Sequence, residues 1–172
     1  MKTKEEEEEE EETSSVGNLV LENKQGGIVL CVIDFSEPSK EALQAAIKIA
    51  RATASTLTVL YPYRLNQPRN VPDLSQWKRN IESDATSNFH RMTSTLLRDS
   101  HVSCEFKVEV GFIDDRVEVF AKTHDVTLVV VSSELIHKSD GAFTDMLEKL
   151  KSPLLIVPTK EPMTHEKYTS SN

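Results

Sequence analysis

The sequence is short of nearly every residue pattern that marks a familiar chemistry. Of its 172 residues only two are cysteine, five glycine and one tryptophan. Cys31 and Cys104 lack C-x-x-C spacing and fall in segments that read as strands, so the expectation is two buried, reduced thiols rather than a disulfide or zinc site. The histidines, His90, His101, His124, His137 and His165, form no H-x-x-x-H or H-x-H pair, which argues against a metal centre. There is no G-x-S-x-G elbow for a serine nucleophile. No stretch interleaves basic residues with stacking aromatics, so nucleic-acid binding is disfavoured. The longest apolar runs, Ile28 to Ile33 and Leu128 to Val131, fall far below the roughly 20 residues of a membrane-spanning helix. The opening MKTKEEEEEEEE has no apolar stretch after its lysines and does not read as a secretory signal, so a cytoplasmic protein without membrane contact is expected.

What the chain does have is charge concentrated in one place. Glu5 to Glu12 carries eight negative charges, as many as the entire net charge of −8. The remainder is near neutral, which removes one barrier to self-association. The length suits a single domain. Residues 1–25 read as a disordered acidic tail, 26–158 as a folded domain and 159–172 as a flexible tail. An acidic arm for a basic partner is the other use of the glutamate run, and no second sequence feature supports it.

Within the domain, hydrophobic period sets the elements. Ile28 to Ile33 is continuously apolar and β-branched, as for a strand covered on both faces. Leu43, Ala46, Ile47 and Ala50 then recur at helical spacing, with Ser36 as N-cap and Pro38 in the first turn. STLTVLYPY reads as a second strand, after which Pro62, Pro68 and Pro72 are expected to form a loop that no helix or central strand would tolerate. Trp77, Ile81, Phe89, Met92 and Leu96 make one stripe of a helix from Leu74 to Asp99. CEFKVEV alternates and reads as a strand near a sheet edge. DDRVEVFAKTH is a helix with Val117, Phe120 and Ala121 inward and Asp114 and Asp115 at its positive end. VTLVVV is a buried strand, GAFTDMLEKLK a helix with Phe143, Met146, Leu147 and Leu150 inward, and PLLIVP a last buried strand.

These segments resemble the universal stress protein family. IVLCVIDFSEPSKEALQAAIKIARATASTLTVLYPY resembles its opening, where a strand ends in aspartate and S-x-x-A-L-x-x-A begins the first helix. Asp34, Ser36, Ser39, Ala42, Leu43 and Ala46 stand at those positions. VEVGFIDDRVEVFAKTHDVTLVVVSSE and SPLLIVP resemble its later helix and strands, so the likeness runs from about Ile28 to Pro158. It implies an α/β fold, an open doubly wound sheet of five parallel strands in the order 3-2-1-4-5 with helices on both faces. Asp34 would then lie beside the crevice where strand order reverses.

In the nucleotide-binding branch of that family the equivalent aspartate contacts adenosine, and the other contacts come from a glycine-rich segment after the fourth strand. Here the segment reads SSELIHKSDGAFTD. Ser132 and Ser133 stand for the first glycine and its neighbour, Leu135 for the second, and Gly141, followed by Ala142, is the one glycine left. The segment is also shorter than the family's. Glu134 and Asp140 would oppose an anion, only partly offset by Lys138 and His137. At an effective dielectric near 20, one like-charge pair about 5 Å apart costs roughly 3 kcal/mol. Pro62 replaces the family's valine against the base, and DFSEPS lacks the glycines of the S-G-G-x-D-S loop in the related pyrophosphatases.

The candidate ligand residues are therefore Asp34, Ser132, Ser133 and Gly141, with no cofactor expected and ATP as the alternative. A more apolar or cationic crevice ligand is a third reading. Asp34 also has a local use, accepting hydrogen bonds from the turn at Ser36 and the helix start. The expected role is a regulatory or interaction protein rather than an enzyme. The resemblance implies a homodimer formed through the last strand, Leu154, Leu155, Ile156 and Val157.

Overall fold

The computed structural model describes residues 26–65, 73–139 and 141–159. The two expected tails, apart from Thr159, together with Pro68, Pro72 and Asp140, lie outside the described residues. The elements in chain order are β1 (Gly26–Val32), α1 (Glu37–Ala52), β2 (Ser55–Tyr63), α2 (Leu74–Thr93), β3 (Cys104–Val110), α3 (Ile113–Thr123), β4 (Val126–Ser132), α4 (Ser133–His137), α5 (Ala142–Lys149) and β5 (Leu154–Val157). All four strand pairings are parallel, in the order β3-β2-β1-β4-β5. The crevice between β1 and β4 is the point where the order reverses.

The central strands are continuously apolar because each face of the sheet has its own core. Val29, Cys31 and Ile33 pack with Ala42, Leu43, Ala46 and Phe89 on the side of α1 and α2. Leu30 and Val32 pack with Val117, Phe120, Phe143 and Met146 on the side of α3 and α5. Alternate residues of one strand thus feed opposite cores, as a period of two requires. Ser36 caps α1, its hydroxyl accepting from the Ser39 amide, with Pro38 in the first turn. Gly26 starts β1 against the end of α1, where its amide donates to Ala54 O at 3.2 Å. A Cβ there would come within 2.2 Å of Thr53 O, so only glycine allows this approach.

Several sequence expectations need correction. Pro62 is not in a loop but inside β2, opposite Glu109 of β3. Leu57 N–H donates toward β3 and Leu60 O accepts from Ile33 on the β1 side, so alternation turns the Pro62 nitrogen to the β1 side. The β1 ladder has already ended there at Val32–Leu60, and the missing N–H costs no hydrogen bond. The helix expected to Asp99 stops at Thr93, followed by turns through Ser100. The hydroxyls of Thr93, Ser94 and Ser100 bond back to carbonyls of this segment, and His101 takes a left-handed φ of 55°. Cys104 is half-buried at the start of edge strand β3, whereas Cys31 is buried; both are free thiols. Leu147 and Ile156 are exposed rather than inward. Ile156 lies on β5, an edge strand with no strand beyond it among the described residues.

Candidate functional site

Asp34 leaves β1 at the reversal point, and the sequence around it closes a small polar knot. Its Oδ1 accepts from the Ser36 amide at 3.1 Å, from the Ser36 hydroxyl, and from the Ser39 hydroxyl at 2.6 Å. The Asp34 amide in turn donates to Ser39 Oγ at 3.1 Å. Ser39 is fully buried, and this exchange satisfies its hydroxyl both ways. Burial opposes ionisation of Asp34, but the Ser36 and Ser39 hydroxyls, the Ser36 amide and Lys138 outweigh it and hold the carboxyl below its ordinary value.

The other carboxylate oxygen, Oδ2, lies 3.3 Å from Lys138 Nζ, and the same ammonium is 2.6 Å from Glu134. Lys138 therefore ties the exit of β1 to the segment after β4. Its own affinity for the proton is raised, first by Glu134 and then by Asp34. Glu134 is thus paired with a cation rather than left to repel an anion, and Asp140, the other acid expected to do so, is outside the described residues. Half-exposed as it is, the Lys138 pairing contributes at most about 1 kcal/mol. Its geometry matters more than its energy, because the ammonium lies across the crevice.

The segment after β4 is not an open loop. It turns directly into α4, with Ser132 buried as the N-cap and its Oγ accepting from the Leu135 amide at 3.2 Å. Leu135 is 4% exposed and belongs to the α3/α5 core. Ser133 Oγ faces the chain after β5, 3.1 Å from Thr159 Oγ1 and accepting from the Thr159 amide at 3.0 Å. Gly141 stands apart with φ 83° as the N-cap of α5, in open space on its Cβ side. Of the four sequence candidates, Asp34 is joined to the described part of this segment through Lys138, while the hydroxyls of Ser132 and Ser133 are engaged in local structure.

A cavity of about 340 Å³ opens next to this knot, lined by Pro62 near the end of β2 and Arg64 after it, Gly111 and Phe112 after β3, and Lys138 and Ser139 after α4. The Arg64 guanidinium lies 5.3 Å over the Phe112 ring. Phe35, next to Asp34, takes a left-handed φ of 63°, a conformation costing about 1 kcal/mol for such a residue. It sets its ring 4.7 Å from that of Tyr61. The Tyr61 phenol is held above its ordinary value, first by burial and then by the charge of Asp34. Sequence reasoning placed Lys138 near the crevice but missed its pairing with Asp34, missed Ser39 as a partner of Asp34, and missed Arg64 and Phe112 as crevice residues. The five-residue step from Asp34 to Ser39 was a readable signal; the others meet only through strand order.

Among the described residues, no cluster of three or more His, Cys, Asp or Glu is placed to hold a metal ion. No described helix is long and apolar enough to cross a membrane. The fold is that of several solved structures. UspA of Lactobacillus plantarum matches with a TM-score of 0.62 at 16% identity over 78% of this chain and 99% of that one. A universal stress protein in complex with cAMP matches with a TM-score of 0.56 at 17% identity over 77% and 97%. The universal stress protein of Archaeoglobus fulgidus in complex with dAMP matches with a TM-score of 0.54 at 20% identity over 75% and 94%. Among curated proteins none matches the sequence. The model of the universal stress protein family matches residues 27–141, two thirds of the chain, and the protein belongs to that family.

Proposed function

We propose that this chain is a cytoplasmic regulatory or interaction protein of the universal stress family that does not bind ATP. The observation that supports this reading most is the position of Lys138, whose ammonium holds Asp34 and Glu134 together across the ends of β1 and β4. A nucleotide reaching Asp34 would have to displace that cation and compete with three donors already on Oδ1. The shortened segment after β4 points the same way. It carries one glycine, its serine hydroxyls are spent, and it coils into α4 instead of presenting a run of inward amides.

An adenine-nucleotide switch using Asp34 is the second reading. It is favoured by the cavity beside the knot, by its two cations Arg64 and Lys138, and by relatives of the same fold in complex with cAMP and dAMP. Calorimetric titration with ATP separates the two, run on the wild-type chain, Asp34→Ala and Lys138→Ala. The first reading expects no heat of binding at about 1 mM ATP in any of the three, a Kd weaker than millimolar. A saturating isotherm in the wild type that is lost in Asp34→Ala would establish the second. The dimer belongs to the same proposal. The edge of β5, with Ile156 46% exposed, is an apolar strand edge of the kind that pairs with its own copy.

A further inference from the structure

The face of the molecule formed by α1 and α2 carries a basic groove that the crevice chemistry does not use. Lys40, Gln44, Lys48 and Arg51 follow one another at spacings of four, four and three residues, which puts them on one stripe of α1. Opposite them, Arg91 and Asn88 of α2 line one end of the groove, and Thr95 and Asp99 of the following turns line the other. The cavities at these two ends measure about 480 and 410 Å³. Four cations and two acids, Glu37 and Asp99, face this space. Glu37 lies 4.0 Å from Lys40, while Lys48, Arg51 and Arg91 have no carboxylate partner among the described residues.

The chain enters the fold at the end of this same groove. Gly26 is bonded to Ala54, just past the last turn of α1 that carries Arg51. Thirteen residues separate Gly26 from Glu12, a tether reaching up to about 45 Å. The cationic stripe from Arg51 to Lys40 is about 17 Å long, and the eight glutamates span about 26 Å extended. Length, exit point and sign of charge therefore agree. The other exposed basic cluster, Lys122, Lys149 and Lys151, lies against α3 and α5, and Glu118 already pairs with Lys122 and, at 3.6 Å, with Lys149.

We propose that the glutamate run Glu5–Glu12 docks in its own chain on the basic groove between α1 and α2, along Arg51, Lys48, Lys40 and Arg91. A short tether keeps the local concentration of the run high, so weak exposed ion pairs suffice to hold it. Docked there, the run covers the groove against other acidic partners and is released by salt.

The test compares amide NMR spectra of the full chain with those of the same chain carrying Gln at positions 5–12. Apart from the substituted run and the tether next to it, in about 20 mM salt the expected differences are confined to residues 40–51 and 88–99, vanish at about 0.5 M NaCl, and do not change on tenfold dilution. Lys48→Glu with Arg51→Glu, both on exposed positions, should abolish those differences while leaving the remaining spectrum intact. Identical signals for the described residues between 26 and 159 of the two chains, or differences there mapping elsewhere, would overturn the proposal. Differences that fade on dilution would also overturn it, because the groove would then be taking the run of another copy.

Discussion

At Asp34 a carboxylate that the family resemblance would make a ligand contact is engaged by its own turn. Three donors on Oδ1 and the Lys138 ammonium near Oδ2 make it a structural hub; a hydrogen bond to a charged group contributes about 1.5–3 kcal/mol when broken singly, these terms do not add, and the half-exposed Lys138 pairing supplies at most about 1 kcal/mol. Asp34→Ala should therefore lower unfolding free energy by roughly 2–3 kcal/mol at pH 7. Because the carboxyl is held below its ordinary value of 3.8, that stability is present above about pH 4 and is lost as the pH falls through the lower native value. Urea titrations at pH 7 and pH 3 check the sign: the gap between wild type and variant should narrow in acid, and a gap that widens would refute it. Leu135, which the family resemblance sets at the place of a glycine, is part of the core. Leu135→Gly should destabilise by about 3 kcal/mol or more through cavity and helix effects together, measured by the same titration. Asp34 could be picked from sequence because an acid closing an apolar strand is a local signal. Its pairing with Lys138 could not, because the two residues are 104 positions apart.

Elements were legible where period was strong and illegible where context decided. The strands around Val29–Val32 and Val129–Val131 and the helix capped by Ser36 follow from contiguous apolar runs and local capping chemistry. Pro62 shows the limit. A proline is excluded from a strand only where its nitrogen must donate, and which side it faces depends on where the neighbouring strand stops. Pro62→Ala should accordingly change stability by less than about 1 kcal/mol, whereas Leu60→Pro, within the paired ladder, should cost about 3 kcal/mol or more in a thermal or urea melt. Leu147 and Ile156 reveal the complementary limit: apolar residues at core spacing stay exposed when no element among those described covers them. The short helix α4 was hidden for a related reason, since five residues are too few to display a period.

For the molecule as a whole, strand order was readable only through the family resemblance, because alternating strands and helices admit more than one parallel order. That order places Asp34, Lys138 and the Arg64–Phe112 pair around one crevice, and among the described residues it leaves β5 at the sheet edge. If β5 pairs with its own copy, Ile156→Asp should convert a dimer to monomer in sedimentation or light scattering, and an unchanged dimer would place the interface elsewhere. The proposal that this crevice does not take ATP rests on an aspartate and a cation that satisfy each other. Mass spectrometry of the supernatant from freshly purified, denatured protein tests it most directly. The account predicts no adenine nucleotide at stoichiometric amounts, whereas one nucleotide per chain, lost in Asp34→Ala, would contradict it.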